Sequence, residues 1–318
     1  MEKVPQAGYK IVGIDIAGFN RSSLIKNIGL PFKLIKSFFQ VREIIKSFKP
    51  VAVIGVGGYS SFPVLKYAQT KNIKTFIHES NSFAGKSNIM LAKNATMVFV
   101  ATDGMKKFFP KEKIIVSGNP VRKSIADSNI SRSSAINFFG LDEHKKTLFV
   151  VGGSLGAKSI NDVIASHLSE IEKLNVQLIW QVGKNNSAAY LDKAKEFKNV
   201  FASEFIKEME MAYAAADAVI SRSGAMSVTE LCVSDKAVVF VPFPFAAEDH
   251  QTSNAKNLVD KNAALIVKDS EAKEKLFSVA TALLFDEAKQ QQLKQNIKLL
   301  AVKNADEIIA KEILKNIK

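Results

Sequence analysis

Several short motifs combine glycine turns with carboxylate, amide or arginine side chains at the ends of apolar runs. Such runs deliver side chains to a ligand when they are strands of a parallel sheet. Gly152-Gly153-Ser154-Leu155-Gly156-Ala157 follows one run and leads into a helical stretch, so backbone N–H groups and a helix N-terminus suit a phosphate. The plainer alternative is a tight strand-to-helix turn with no ligand. The spacing is not G-x-G-x-x-G, which disfavours a nicotinamide dinucleotide. Gly85-Lys86-Ser87 imitates the end of a Walker A loop, but Ser80 stands where its first glycine belongs, so the tripeptide reads as a helix start. In Ser221-Arg222-Ser223-Gly224-Ala225-Met226-Ser227-Val228-Thr229-Glu230 a run turns on Ser-Gly into a helix. Glu230 then sits where a carboxylate can accept from a ribose diol, unless it is simply a solvated surface glutamate.

The cluster Glu248-Asp249-His250-Gln251-Thr252-Ser253-Asn254 follows Pro242-Phe243-Pro244-Phe245. It suits hydroxyl recognition, as a sugar requires, or else a helix start capped by Asp249 or Thr252. Nearer the N-terminus, Gly57-Gly58-Tyr59 and His78-Glu79-Ser80-Asn81 each follow an apolar run. His78 and Glu79 have the types of an acid/base pair, although a histidine after a strand is as readily held by a local hydrogen bond. Pro120 stiffens Ser117-Gly118-Asn119-Pro120-Val121-Arg122, so Arg122 points reproducibly and suits a diphosphate.

The elements that must carry these motifs are β-branched or aromatic runs alternating with amphipathic helical stretches, the pattern of parallel sheets with crossover helices. The fold class is α/β. Strands are expected at 10–16, 51–56, 74–78, 96–101 and 113–117, then at 147–151, 177–181, 200–204, 218–221, 237–241 and 264–267, with a helical tail from 270. The stretch 124–146, rich in Ser, Asn and charge, reads as a linker between domains 1–123 and 147–300, followed by a C-terminal helix in 301–318 expected to pack toward the first domain. No fixed-period repeat is present, against solenoids and propellers.

A chain of 318 residues that is 47% hydrophobic can bury two cores, and disorder is excluded as its main state. One cysteine, Cys232, allows neither an internal disulfide nor a CxxC site, so a reducing cytosol is the natural compartment. The longest apolar run, 237–247, is too short to span a bilayer and holds two prolines. The net charge of +13 is concentrated: residues 1–123 carry 20 Lys+Arg against 6 Asp+Glu, the remainder 24 against 25. The first part therefore expects an acidic partner, whether nucleic acid, anionic lipid or a phosphorylated substrate. Nucleic acid lacks any recognition motif here. The helix at 31–49 carries Leu34, Phe38, Val41, Ile45 and Phe48 on one face, with Phe32, Ile35 and Phe39 beside them. Bordered by Lys33, Lys36, Arg42, Lys46 and Lys49, it suits an anionic membrane surface or is an ordinary packed crossover helix.

Taken in order, V-G-G-Y-S-S, H-E-S-N-S-F-A-G, S-G-N-P-V-R, V-G-G-S-L-G-A, S-R-S-G-A-M-S-V-T-E and P-F-P-F-A-A-E-D-H-Q-T-S-N-A resemble the MurG family of bacterial UDP-N-acetylglucosamine transferases acting on lipid I. Six ordered motifs are far more specific than one. The resemblance implies a GT-B fold, two doubly wound Rossmann-like domains facing a cleft, and inverting transfer of GlcNAc to the C4 hydroxyl of MurNAc in undecaprenyl-diphosphoryl-MurNAc-pentapeptide, giving lipid II for peptidoglycan. By matching position, Gly153 and Ser154 hold diphosphate, the Ile206 backbone pairs with uracil, and Ala225, Met226, Ser227, Val228, Thr229 and Glu230 form the nucleotide-facing helix start, Glu230 on the ribose. Gln251 contacts the GlcNAc hydroxyls, Arg122 the diphosphate or sugar, and Asn81 the sugars at the reacting centre. Gly57, Gly58 and Tyr59 face the acceptor diphosphate. The leaving UDP is stabilised by protein dipoles and Arg122, with no metal and no cofactor. Also implied are peripheral attachment to the cytoplasmic face of the inner membrane, through the 31–49 helix with Leu24 and Ile25, and other cell-wall or division proteins as partners.

The chain starts after the family's first strand, its G-G-T-G-G-H loop and a second strand. An N-terminally incomplete first domain is therefore expected, and with it a weak or inactive catalyst that keeps its donor site. The loop histidine, a leading candidate for general base, has no positional substitute, which leaves Glu79 and His78 as the titratable candidates. The alternatives are another UDP-sugar GT-B enzyme, either a lipid glycosyltransferase or a UDP-GlcNAc 2-epimerase, and an inactive donor-binding fragment.

Overall fold

The structure is a computed structural model that describes residues 3–18, 27–185 and 187–317. Leu24 and Ile25 lie outside the described residues. The chain forms two units: one holds the chain to Ser80, Ala84–Val116 and the end from Ile309, the other Asn81–Phe83 and Ser117–Ile308.

The first unit runs α1 (Lys3–Gln6), α2 (Leu30–Phe48), β1 (Ala52–Gly55), α3 (Ser61–Thr70), β2 (Lys74–Glu79), α4 (Lys86–Ala92), β3 (Met97–Val100) and β4 (Ile114–Val116). Its sheet is parallel in the order β1-β2-β3-β4. Because successive strand residues face opposite sides, Ile77, Val98 and Val100 pack with Leu65 and Leu91, while Phe76 and Phe99 pack on the other face with Ile309, Ile313 and Ile317. On α2, Ser37, Val41 and Ile45 are buried, and Val41 and Ile45 pack with Ala68 and Ile14.

The expected strand at 10–16 does not form. Asp15 donates its N–H to Gln40 Oε1 at 2.8 Å, its carboxylate meets Lys36 Nζ at 2.6 Å, and Ile14 packs on Val41 and Ile45. These contacts hold Asp15 and Ile14 against α2, and the segment pairs with no strand among the described residues. Phe48, expected on the same apolar face as Val41 and Ile45, is 79% exposed at the end of α2 while those two are buried.

The second unit contains α5 (Lys123–Ala126), α6 (Arg132–Phe138), β5 (Thr147–Val151), α7 (Lys158–Ser166), α8 (Leu168–Lys173), β6 (Gln177–Gln181), α9 (Ser187–Ala194), β7 (Val200–Ser203), α10 (Met209–Ala215) and β8 (Ala218–Ser221). It continues with α11 (Ala225–Val233), β9 (Val238–Phe240), α12 (His250–Val259), β10 (Leu265–Ile266), α13 (Ala272–Phe285) and α14 (Glu287–Lys298), and the chain ends in α15 (Ala305–Ile317). All six strands are parallel, in the order β10-β9-β8-β5-β6-β7. Both faces are covered: Leu148, Val150 and Trp180 point into one core, Phe149, Val151 and Ile179 into the other. That is why these strands read as unbroken apolar runs.

The stretch 124–146 is no linker. Ile125, Ala126, Ala135, Ile136 and Phe139 join the core of the second unit, and Arg132 bonds Asp217 at 3.0 Å and the Lys145 carbonyl at 2.7 Å. Its polar composition reflects helix caps and turns, such as Ser131 accepting from the Ser134 N–H.

Candidate active site

In the six-stranded sheet the strand order reverses at β5, whose Val151 lies opposite Ser221 of β8. Ligands of doubly wound sheets bind outside the strand C-termini at such a switch point. The two motifs that leave these strands are the glycine loop into α7 and the Ser223-Gly224 turn into α11. Neither Ala157 nor Gly224 supplies a side-chain cap, and neither helix has an acid in its first turn. Two helix starts thus present N–H groups and positive dipole ends to an anion.

The loop is shaped by steric necessity. Gly153 and Gly156 have φ of 90° and 83°, and a Cβ on Gly156 would lie 2.2 Å from the Val182 carbonyl oxygen. Gly183 is equally constrained, since a Cβ there would lie 2.0 Å from the Gly156 nitrogen. The Ser154 and Leu155 carbonyls accept from the N–H groups of Lys184 and Asn185 at 3.2 and 3.0 Å, which ties the loop to the exit of β6.

Glu230 lies in α11 with a mostly buried side chain. Tyr213 of α10 donates its hydroxyl to Oε2 at 3.0 Å, and the Arg122 guanidinium stands 3.6 Å from Oε1. Burial pushes the Glu230 carboxyl above its usual range, with Tyr213 and Arg122 pulling it back, and burial pushes the Tyr213 phenol well up. Arg122, expected on a diphosphate or sugar, is thus paired with Glu230. Asn119 Nδ2 donates to Thr229 Oγ1 at 2.8 Å, fixing the same turn of α11. Ala225 to Val228 form that helix's first turn, Met226 exposed.

After β9, Gln251 Oε1 accepts the Phe243 N–H at 3.0 Å, and the Gln251 carbonyl accepts from Ser223 Oγ at 2.9 Å. Glu248 and Asp249 both hold left-handed φ values, 56° and 51°, at the turn into α12. Asn81 Oδ1 accepts from Asn254 Nδ2 at 3.1 Å, and Asn254 Oδ1 takes the Ser82 N–H at 2.8 Å. The Ile206 N–H, expected to pair with a base, already donates to Gln181 Oε1 at 2.9 Å.

In the first unit, Gly57 and Gly58 follow β1 with φ of 92° and 79°, and Tyr59 is exposed. His78 and Glu79 end β2, both buried. Glu79 Oε2 accepts the Gly85 N–H at 3.0 Å and Asn88 Nδ2 at 2.8 Å, so it holds the following loop in shape. His78 Nδ1 lies 3.3 Å from Ser80 Oγ.

Four residues to which the sequence assigned no individual role fix this site: Arg222 and Asn254 stand inside motifs already named, Tyr213 and Gln181 outside them. Tyr213 orients Glu230. Gln181 touches two loops. Arg222 donates to the Val241 and Pro242 carbonyls, Asp269 and Ser159, tying three segments to its own turn. Asn254 joins the Ser223 carbonyl to Asn81. A polar residue closing an apolar strand, as in Leu178-Ile179-Trp180-Gln181, was a legible signal for Gln181. Nothing in sequence marked Tyr213.

Residues 147–310 match the glycosyltransferase family 28 C-terminal domain and residues 1–100 the corresponding N-terminal domain. A Phocaeicola vulgatus protein named UDP-N-acetylglucosamine--N-acetylmuramyl-(pentapeptide) pyrophosphoryl-undecaprenol N-acetylglucosamine transferase is 48% identical over 99% of this chain and 85% of its own length. The crystal structure of Acinetobacter baumannii MurG superposes with a TM-score of 0.79 at 30% identity, covering 98% of this chain and 87% of that one. A UDP-N-acetylglucosamine 2-epimerase structure from Listeria monocytogenes, called putative in its own name, covers 90% of this chain and 81% of its own with a TM-score of 0.66. At 14% identity it shares the fold alone.

Proposed function

The chain belongs to the MurG family within glycosyltransferase family 28, and from that premise we propose that it transfers GlcNAc from UDP-GlcNAc to the C4 hydroxyl of MurNAc in lipid I, giving lipid II. The observation that carries this reading is the pair of uncapped helix starts at the sheet's switch point, with the mostly buried Glu230 carboxylate one and a half turns along one of them.

In this reading the glycine loop with Ser154 cradles the diphosphate, and Glu230, oriented by Tyr213, accepts from the ribose hydroxyls. The Gln251 carboxamide, its oxygen held by Phe243, offers Nε2 to a sugar hydroxyl. Breaking the anomeric C–O bond leaves charge on UDP, which the α7 and α11 N-termini stabilise without reorganising. Arg122 serves the same charge by exchanging its Glu230 contact for the diphosphate. The C4 hydroxyl attacks the anomeric carbon from the opposite side, and its proton passes to a base that we assign to the β2 end, His78 or Glu79. Gly57, Gly58 and Tyr59 are assigned to the acceptor diphosphate.

The test is lipid II formation by the full chain with calorimetry of UDP-GlcNAc. Glu230→Ala is expected to weaken donor binding by about 1–3 kcal/mol, the loss of charge-assisted hydrogen bonds. Either His78→Gln or Glu79→Gln is expected to abolish transfer while leaving donor affinity intact. Unchanged donor affinity in Glu230→Ala removes that residue from the site, and full turnover by both β2 variants removes the assigned base.

Peripheral attachment to an anionic membrane surface, at the cytoplasmic face of the inner membrane, belongs to the same proposal. Its support is a second apolar face on α2, where Phe32, Ile35 and Phe39 recur at helical spacing opposite the buried Ser37, Val41 and Ile45. Among the described residues no helix is long and apolar enough to cross a bilayer.

A further inference from the structure

Gln181 is the last residue of β6, the strand between β5 and β7, and the register places it level with Val151 and Ser203. The glycine loop leaves on one side and the Ile206 segment on the other. Its carboxamide reaches both: Nε2 donates to the Gly153 carbonyl at 3.3 Å, and Oε1 accepts the Ile206 N–H at 2.9 Å. The residue is 3% exposed. A buried amide is favourable only when its donor and acceptor are both satisfied, and here each end is spent on a different loop.

We propose that Gln181 is a positioning residue that couples the two halves of the nucleotide subsite, so that occupation of the Ile206 segment by a base orders the glycine loop for the diphosphate. This rests on the proposed donor site, with the glycine loop on the diphosphate and the Ile206 segment, as the family resemblance implies, beside the base. A methionine has nearly the same shape but neither bond, so it fills the space without coupling the loops.

Gln181→Met is expected to raise the KM for UDP-GlcNAc roughly tenfold, the size of about one lost hydrogen bond's contribution to binding, with kcat at saturating donor and the KM for lipid I changed less than about threefold. A fall in kcat at unchanged donor KM, or wild-type affinity for UDP in the folded variant, would overturn the assignment. A second measurement uses the wild-type chain and needs no variant to fold. Amide hydrogen exchange with uridine alone, which carries no phosphate, should gain protection at both the Ile206 segment and residues 152–156. Protection confined to the Ile206 segment means that the loops are not coupled and overturns the proposal. If the wild-type chain binds neither uridine nor UDP, the donor-site reading fails and the coupling role falls with it, an outcome distinct from binding without coupling.

Discussion

At the scale of single residues, Glu230 shows how a binding group is made at a cost to the unliganded fold. Burial is the largest influence on its carboxyl and raises its pKa, while Tyr213 and Arg122 only offset part of that. The native state therefore holds the proton more tightly than the unfolded chain. The stability associated with this group is complete below the ordinary glutamate range and is lost as pH rises through the raised native pKa. Nucleotide binding follows the opposite sign, because a ribose diol donates to the ionised form. UDP affinity is expected to fall on acidification at a higher pH than an ordinary glutamate would give. Glu230→Gln, which keeps an acceptor for Tyr213, should melt no lower than wild type at neutral pH while binding UDP more weakly. Calorimetry across pH together with thermal melts checks both halves, and a variant that melts several degrees lower would show that the carboxylate stabilises the fold.

At the scale of elements, α2 carries two apolar faces with different fates. Val41 and Ile45 meet α3, whereas Phe32 and Phe39 stay 75% and 61% exposed, with Lys33, Lys36, Arg42 and Lys46 on the same helix. Because Phe38 is half buried, it is a poor probe of a surface role. Phe32→Asp with Phe39→Asp changes only exposed positions and should cost no more than about 0.5 kcal/mol each in stability. The same double variant should abolish capture by anionic vesicles, and added salt should weaken capture of the wild type by screening its basic contacts. Undiminished sedimentation of the double variant with such vesicles would remove α2 from the interface.

At the scale of the whole molecule, the chain's single tryptophan, Trp180, is fully buried in the second unit, bonded to Asn161 Oδ1 at 3.0 Å. Its fluorescence therefore follows the unfolding of that unit alone. UDP-GlcNAc at one hundred times its dissociation constant should stabilise that transition by about 2.7 kcal/mol. A tryptophan melt that does not move with UDP-GlcNAc would place the donor elsewhere. From sequence alone came the alternation that fixes an α/β class, ten of the eleven expected strands, the charge asymmetry, and the glycine and Ser-Gly turns at β5 and β8. All of these are local, since strand runs, turns and helix starts depend on residues a few positions apart. The segment 10–16 has the composition of a strand, but a strand exists only where a neighbour pairs with it, and among the described residues none does; Gln40 and Lys36 of α2 bond Asp15 instead. In 124–146 the polar composition hid Ile125, Ile136 and Phe139, whose burial depends on partners far along the chain. Only the tertiary structure could bring Tyr213 to Glu230 across 17 residues and Gln181 to Ile206 across 25, because side chains that position a ligand group are chosen by proximity in space, which no spacing rule encodes.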